Sequence, residues 1–269
     1  MSTLRDRIRA FLSHYQFRLN TDLGQHYLVD EDILETILNT ADIHDTDTVV
    51  EIGPGIGVLT SELLKLAKEV IAIEFDERVI PLLKTYIQSN NDKFNNLTII
   101  RDNALHTPLP TSPYKIVANI PYHITSPLLR HVFLESPVAP MTMTLLIQRE
   151  VAENICDAGN AGMLTILVAL FGKPSIACRV PPKSFLPPPK VDSAVLHIDC
   201  FPEPLADKET IEQIFKLTRI AFGQKRKMLR NTLGAFPALV ERLEAASISQ
   251  ERRPQTLSIK EWIAIAKPA

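Results

Sequence analysis

Cysteine is scarce in this sequence, and the few that occur show no pairing pattern. The 269 residues include three cysteines, Cys156, Cys178 and Cys200. They are odd in number, lie far apart and lack C-x-x-C spacing, so we expect neither a disulfide framework nor a zinc site. No other metal is expected. A reducing, cytoplasmic compartment is the location that this cysteine usage favours.

Long apolar segments are also lacking. The longest run extends from Met163 to Phe171, which is too short to cross a bilayer. The first residues contain no long apolar core ahead of small residues, so no signal peptide is predicted. We therefore expect no membrane span. Arg5, Arg7 and Arg9 in an amphipathic opening segment leave an organelle presequence as the alternative.

Positive charge is not in excess over negative charge. Lys and Arg number 29 and Asp and Glu number 31, which gives a formal net charge of -2. No global basic field therefore indicates a polyanion as partner, and any nucleic-acid surface must be a local patch. The length and the 45% of hydrophobic residues suit one medium domain and a small one.

A glycine-rich turn follows the first predicted buried strand. Thr48 to Ile52 has the pattern of such a strand, and Gly53-Pro54-Gly55-Ile56-Gly57 comes directly after it. Glycines permit a tight turn into a helix and let a ligand approach the backbone. The next predicted strand ends at Glu74, about 20 positions later, where a carboxylate suits a ribose diol. The pair predicts a nucleoside cofactor but does not choose between NAD and S-adenosylmethionine.

A second motif, Asn119-Ile120-Pro121-Tyr122, follows the apolar run from Ile116 to Ala118. In an open α/β sheet, ligands bind at the carboxyl ends of strands. The Asn119 amide can accept a hydrogen bond from an exocyclic amine and donate one to a ring nitrogen. Tyr122 offers a flat face on which a nucleobase could stack. The alternative is a plain strand-to-turn junction in which Pro121 ends the strand.

Two further stretches place polar residues near these motifs. The predicted strand from Leu97 ends ahead of Asp102 and Asn103, either of which could accept a hydrogen bond from an adenine amine. The loop from Leu23 to Leu28 could be a lid in which Gln25 and His26 contact a cofactor. Its alternative is an ordinary surface connection.

The second half of the chain has a proline-rich connection and then a helical region. Alternating strands and helices up to this point predict a mostly parallel sheet. Pro181 to Lys190 must be stiff, because proline fixes φ. It could hold Phe185 beside a pocket and clamp a base against Tyr122, or be an ordinary hairpin connection. After a linker, helices are predicted over 208–222 and 226–234.

A run of cations lies in the helical region, at Lys225, Arg226, Lys227 and Arg230. Four cations in six residues form a local basic patch suited to phosphates. A solvated helix face is the alternative.

Five segments in a fixed order resemble one family: 23–28 (LGQHYL), 51–57 (EIGPGIG), 119–122 (NIPY), 185–195 (FLPPPKVDSAV) and 221–233 (AFGQKRKMLRNTL). They resemble the KsgA-type small-subunit ribosomal RNA adenine dimethyltransferases, and the resemblance covers nearly the whole chain. The G-x-G-x-G spacing after Glu51 is similar to motif I of S-adenosylmethionine-dependent methyltransferases.

The resemblance implies a fold and an activity. The expected fold is α/β: a Rossmann-like class I methyltransferase sheet with helices on both faces over residues 1–201, and a small all-helical RNA-binding domain over 202–269. The expected activity is dimethylation of N6 of two adjacent adenosines near the 3′ end of small-subunit ribosomal RNA, within an immature ribosomal subunit. S-adenosyl-L-methionine would be the cofactor, and the protein is expected to be monomeric.

The expected site residues fall into three groups. The catalytic group is Asn119, Pro121, Tyr122 and Phe185. The cofactor-binding group is Gln25, His26, Leu28 (through its backbone), Glu51, Gly53, Gly55, Glu74, Asp102, Asn103 and Asn119. The RNA-binding group is Lys183, Lys190, Lys225, Arg226, Lys227 and Arg230.

The chain departs from the family pattern at two places. Aligning Ala104-Leu105 with the usual Asp-Ala-Leu puts Asn103 where members carry an acidic residue, with Asp102 as the alternative adenine contact. Asn20-Thr21-Asp22 stands where members often carry lysines or arginines, which leaves Arg18 as the nearest cation.

Three other functions are compatible with parts of the pattern. A large-subunit ribosomal RNA methyltransferase of the antibiotic-resistance type shares much of the fold, but the segments 185–195 and 221–233 favour the small-subunit enzyme. A non-catalytic RNA-binding assembly factor is disfavoured by the intact glycine turn, Glu74 and Asn119. An NAD-dependent oxidoreductase would need a hydride-transfer site, and none is recognisable.

Overall fold

The computed structural model describes residues 3–90, 95–224 and 227–267. It divides into two compact units. The first comprises residues 1–152 and 175–200, and the second comprises 153–174 and 201–269. The predicted domain boundary after residue 201 lies next to residue 200, after which the chain passes from the first unit into the second for the last time. The contribution of 153–174 to the helical unit was not predicted.

The described residues form nine strands, seven of which belong to one sheet. In chain order they are β1 (Tyr27–Leu28), β2 (Thr48–Ile52), β3 (Glu69–Glu74), β4 (Leu97–Arg101), β5 (Lys115–Asn119), β6 (Thr142–Gln148), β7 (Gly172–Val180), β8 (Phe185–Leu186) and β9 (Ser193–Cys200). The large sheet has the order β4-β3-β2-β5-β6-β9-β7, and β1 pairs with β8 in a separate antiparallel ribbon.

The strand order explains why the two sequence motifs meet. From β2 the chain runs outward through β3 and β4, then returns to add β5 and β6 on the other side of β2. These neighbours pair in parallel, and within the large sheet only the β6–β9 register is antiparallel among the registers described. The carboxyl ends of β2 and β5 therefore adjoin at a topological switch point, where open α/β sheets bind ligands. The predicted mostly parallel sheet is confirmed.

Ten α-helices lie within the described ranges: α1 (Leu4–His14), α2 (Glu31–Ala41), α3 (Val58–Leu66), α4 (Ile80–Asn90), α5 (Thr125–Arg130), α6 (Arg149–Cys156), α7 (Met163–Phe171), α8 (Lys208–Phe222), α9 (Pro237–Ala245) and α10 (Ile259–Ala266). A π-helical turn, His131–Glu135, continues α5. None of the described helices is both long and apolar enough to cross a membrane.

The second unit packs α8 against α7 and α10 around the fully buried Trp262. The helix predicted over 226–234 is wrong for the part that is described. Residues 229–231 and 233–235 form two short 3-10 turns, and Lys225 and Arg226 lie outside the described residues. The backbone N–H groups of Leu229 and Arg230 donate to the carbonyls of residues 252 and 250. These two hydrogen bonds to a distant segment replace bonds that the same N–H groups would make within a helix.

Asp30 fixes the start of α2 and also holds the proline-rich connection. Its Oδ1 accepts from the backbone N–H of Ile33 at 3.4 Å, as expected of an N-cap. Its Oδ2 accepts from the hydroxyl of the buried Ser184 at 2.6 Å. One carboxylate thus ties two segments of the first unit that are 154 positions apart.

We expect Asp30→Ala to lower the free energy of unfolding by about 1–3 kcal/mol, because it removes a helix cap and leaves a buried hydroxyl unpaired. Urea denaturation followed by circular dichroism measures the loss. Asp30→Asn is the control, since its carbonyl oxygen preserves the cap, and it should lose less. Equal losses in the two variants would contradict this account.

Candidate active site

The glycine turn after β2 has a backbone that only glycine adopts without strain. Gly53 and Gly55 have φ of 66° and 57°. A Cβ on Gly55 would lie 2.6 Å from a ring carbon of Tyr27, so a larger residue has no space there. The turn is therefore closed on one side by Tyr27 and presents bare backbone on the other.

Glu74 at the end of β3 is bound to this turn. Its Oε2 accepts from the backbone N–H of Gly55 at 3.2 Å, and its Oε1 accepts from that of Asp76 at 2.8 Å. Burial raises the pKa of Glu74, and the two N–H donors oppose that rise. The backbone thus holds the carboxylate beside the glycine turn, and its contact with a ribose stays a prediction.

A cavity of about 350 Å³ lies between the ends of β2, β3, β4 and β5. Its volume is within the range of small-molecule sites. It is lined by Leu23, Gly24, Gln25, His26, Tyr27, Ile52, Gly53, Gly55, Ile73, Glu74, Phe75, Asp76, Asp102, Asn103, Ala104, Leu105, Asn119, Pro121, His123 and Ile124. Nine residues of the predicted site are brought together here: Gln25, His26, Gly53, Gly55, Glu74, Asp102, Asn103, Asn119 and Pro121.

Asn119, the last residue of β5, has its side-chain amide oriented by the loop on the other side of the cavity. Its Nδ2 donates to the backbone carbonyl of His26 at 2.9 Å. An amide has one carbonyl oxygen and one NH₂ group, so this bond turns the Asn119 nitrogen towards the His26 backbone. The carbonyl oxygen Oδ1 remains as the acceptor.

The His26 ring is itself fixed by the proline-rich connection. Its Nδ1–H donates to the carbonyl of Pro187 at 2.8 Å. The imidazole lies nearly parallel to the Tyr122 ring, with centroids 6.2 Å apart and an interplanar angle of 16°. The Tyr122 hydroxyl is 2.6 Å from Oγ of Ser193. The proline-rich connection therefore positions His26, and His26 positions Asn119.

Phe185 does not clamp a base, contrary to the expectation from sequence. Its side chain is 0% exposed and belongs to the hydrophobic core of the first unit. Its backbone pairs with Leu28 in the β1–β8 ribbon. Burying a phenylalanine in this core is far more favourable than presenting it at a pocket edge.

Two predicted cofactor contacts also lie away from the cavity. Glu51 is 1% exposed within β2, beneath the glycine turn, and does not line the cavity. Leu28 is buried in β1, where its backbone faces Phe185, and Tyr27 lines the cavity in its place. Both residues support the wall and do not form it.

Asp102 and Asn103 both line the cavity, so the structure does not choose between them as the adenine contact. Asp102 is exposed, and its Oδ1 accepts from the backbone N–H of Asn103 at 2.7 Å. The Asn103 Oδ1 accepts from the N–H of Leu105 at 3.0 Å. The adenine contact stays a prediction.

Eleven of the residues that line the cavity were not among the predicted site residues, and four of these eleven carry an aromatic, imidazole or carboxylate side chain: Tyr27, Phe75, Asp76 and His123. Phe75 is 66% exposed, which is unusual for an apolar ring at a strand end. A large aromatic directly after Glu74, the predicted ribose contact, was the available signal for it. Tyr27 lay inside the recognised loop, but its ring was not distinguishable from a core side chain.

The predicted RNA-binding cations are surface residues where they are described. Lys183, Lys190 and Lys227 are exposed. Arg230 is exposed and pairs with Glu251 at 3.4 Å. Lys225 and Arg226 lie outside the described residues. An RNA-binding role for this group stays a prediction.

Comparison with known proteins identifies the family. Residues 16–268 match the model of the family described as ribosomal RNA adenine dimethylase. The chain belongs to this family. Ribosomal RNA small subunit methyltransferase A of Dehalococcoides mccartyi is 38% identical over 271 residues, covering 97% of this chain and 91% of the relative. The enzyme of the same name from Alkaliphilus metalliredigens is 37% identical over 279 residues, covering 97% and 95%. The predicted resemblance is confirmed.

Solved structures support the same fold. A dimethyladenosine transferase from Plasmodium falciparum matches with a TM-score of 0.78 and 30% identity, covering 89% of this chain and 96% of that one. The 23S rRNA methyltransferase ErmE matches with a TM-score of 0.73 and 25% identity, covering 89% and 98%. The predicted Rossmann-like methyltransferase sheet is confirmed.

The methyl donor of this ribosomal RNA adenine dimethylase family member is S-adenosylmethionine, and the cavity fits it. Gly53 and Gly55 leave the turn free of side chains, Glu74 offers a buried acceptor for a ribose diol, and Phe75 offers an apolar face for adenine. When bound, this cofactor supplies a sulfonium methyl group. Among the described residues, no group of three or more His, Cys, Asp or Glu side chains could hold a metal ion.

We expect Glu51→Gln to change the pH dependence of stability. Burial, followed by the nearby charge of Glu74, raises the pKa of Glu51 from 4.5 to about 8. The unfolded chain releases this proton near pH 4.5, so the native state loses stability as pH rises towards 8. The glutamine variant lacks this loss. Its free energy of unfolding relative to wild type should therefore increase between about pH 5 and pH 8 and then level off.

Urea denaturation at several pH values measures this difference. Glu62→Gln, on the partly exposed Glu62–Lys65 pair of α3, is the control and should show no such trend. A difference that stays constant across the range would show that Glu51 is ionised in the folded protein.

Proposed function

We propose that this chain transfers methyl groups from S-adenosylmethionine to N6 of two adjacent adenosines near the 3′ end of small-subunit ribosomal RNA, during biogenesis of the subunit. The observation that carries the proposal is the Asn119 amide, held by the His26 carbonyl at the edge of the cavity. The names of the small-subunit relatives support the choice of RNA.

The chemistry requires acceptors because adenine N6 is a poor nucleophile, its lone pair being delocalised into the ring. The Asn119 Oδ1 and one backbone carbonyl can each accept an N6–H, which turns the lone pair out of conjugation and stabilises the growing positive charge. The Ile120-Pro121 backbone, directly after Asn119, supplies this carbonyl; the Pro121 oxygen also accepts from the N–H of Ile124 at 3.1 Å. The methylated nitrogen becomes acidic, so no strong general base is needed.

Tyr122 supplies the stacking surface for an extruded adenine. A base that leaves its stack needs a replacement surface, and an aromatic ring provides one. With Phe185 in the core, Tyr122 is the half-buried ring beside Asn119 that can serve, and its bond to Ser193 fixes the ring plane. Room for N6-methyladenine in the same position would allow the second methyl transfer.

Membership of the family supports ribosomal RNA as the partner. Ribosomal RNA is the substrate, and an immature small subunit is the form that we propose as its context. A cytoplasmic, monomeric enzyme is the corresponding proposal for location and assembly. The basic residues Lys183, Lys190, Lys225, Arg226, Lys227 and Arg230 are proposed to contact RNA phosphates.

The large-subunit activity is the competing proposal, because ErmE shares the fold at 25% identity. Mass spectrometry of small-subunit and large-subunit RNA, each incubated with protein and cofactor, separates the two. Dimethyladenosine confined to a large-subunit fragment would refute the proposed function.

We expect Asn119→Ala to lower the turnover number by about 100- to 1,000-fold, because an acceptor for the reacting amine is lost. The dissociation constant of S-adenosylhomocysteine should change by less than about threefold. Tritium transfer to immature small subunits and calorimetry measure the two quantities. Unchanged turnover would rule out the role assigned to Asn119.

We expect Tyr122→Ala to lower kcat/KM for RNA by about 10- to 100-fold, because base stacking on an aromatic ring contributes about 1–3 kcal/mol. Tyr122→Phe is the matched control, since it keeps the ring and removes only the hydroxyl bonded to Ser193. The same transfer assay compares them. A phenylalanine variant as impaired as the alanine variant would assign the effect to the hydroxyl instead.

A further inference from the structure

We infer that Asp76 is a positioning residue whose carboxylate fastens residues 17–25 in place as one wall of the cofactor cavity. The inference rests on the proposed function for the identity of the ligand. No sequence motif indicated Asp76, which follows the strand-end pair Glu74-Phe75.

Gln25 connects the segment to Asp76 through both ends of its side-chain amide. Its Oε1 accepts from the backbone N–H of Asn20 at 2.8 Å, and its Nε2 donates to Oδ2 of Asp76 at 2.8 Å. The protein thus engages the amide at both its oxygen and its nitrogen, and the inference assigns Gln25 a structural role instead of the predicted direct cofactor contact.

The Asp76 carboxylate has no acceptor capacity left for a ligand. Besides Gln25, it accepts from Arg78 three times, from Nε at 2.8 Å, from a terminal guanidinium nitrogen at 2.6 Å and from the backbone N–H at 3.1 Å. An ionised carboxylate has about four acceptor positions. Hydrogen bonds from Arg78 and then Gln25 hold the pKa of Asp76 below its usual range, although the residue is buried. Asp76 therefore acts through Gln25.

The segment of residues 17–25 contacts residues that follow two different strands, Arg78 after β3 and Pro121 after β5. Near its start, the Arg78 guanidinium lies 5.7 Å from the ring centroid of Phe17. Near its end, Gly24 has φ of 73° and packs so closely on Pro121 that a Cβ would lie 2.8 Å from the proline Cβ. The next residue after Gln25 is His26, whose carbonyl orients Asn119.

This arrangement predicts a specific effect on ligand binding. Breaking the Gln25–Asp76 bond loosens this wall and leaves the glycine turn, Glu74 and Asn119 unchanged. The dissociation constant of S-adenosylhomocysteine should rise, while turnover at saturating S-adenosylmethionine changes by less than about threefold, because bound cofactor can restore the wall.

The most specific test exchanges the amide and the carboxylate between positions 25 and 76, in two steps. Gln25→Glu keeps the acceptor for Asn20 but places a carboxylate against that of Asp76, and we expect about a 10- to 100-fold higher dissociation constant by calorimetry. The double variant Gln25→Glu with Asp76→Asn has one carboxylate and one amide again, and should recover at least half of the loss on a logarithmic scale. Glu77→Gln, which affects the neighbouring exposed pair with Arg101, is the matched control and should bind like wild type.

A double variant that binds as weakly as Gln25→Glu would overturn the inference and make Gln25 a direct ligand contact. Hydrogen exchange of the ligand-free protein provides a second measurement. The N–H groups of Gly24 and Gln25, which donate to the carbonyls of Thr21 and Asn20, should exchange faster in Gln25→Glu and recover in the double variant. Unchanged exchange would also refute the inference. If wild type failed to bind S-adenosylhomocysteine, the proposed function would fail, and the exchange data would still decide whether Asp76 fastens the segment.

Discussion

The site depends on one hydrogen bond, from the amide nitrogen of Asn119 to the backbone carbonyl of His26. An asparagine at a strand end has two interchangeable orientations, and only one presents its oxygen to an incoming amine. The His26 carbonyl accepts and cannot donate, so it selects that orientation. Two further supports hold the loop that carries this carbonyl: Pro187 fixes the His26 ring, and the segment before His26 is fixed at Asp76 and Pro121.

The fold brings both partners of that bond to the switch point of the sheet. β5 is added beside β2, so the amide at its end lies next to the glycine turn. His26 directly precedes β1, and the β1–β8 ribbon places it at the same edge of the sheet. Such a site needs few chemically reactive groups, because the acceleration comes from orientation and from acceptors placed where charge develops.

The parts predictable from sequence were those with a local signature. The glycine turn, Glu74 and Asn119 each follow a buried strand, and strand ends converge in a parallel sheet, so their meeting could be predicted. Phe185 could not be placed, because a phenylalanine in a proline-rich stretch has the same local pattern whether it faces a pocket or the core. Asp76 was missed because its role depends on a partner 51 positions away. The turns at 229–235 differ from the predicted helix for the same reason, since their backbone bonds go to residues 250 and 252.

The bond between His26 and Pro187 joins residues 161 positions apart. Contacts of such long sequence separation form late, because closing a large loop costs entropy before packing compensates for it. During synthesis, the strands that hold the glycine turn leave the ribosome well before the proline-rich connection does. A growing chain can therefore assemble a nucleoside pocket early, yet it acquires the Pro187 support of His26 only after about two thirds of its length has emerged. Order of translation thus separates the emergence of the cofactor-binding strands from that of the last support of the catalytic amide.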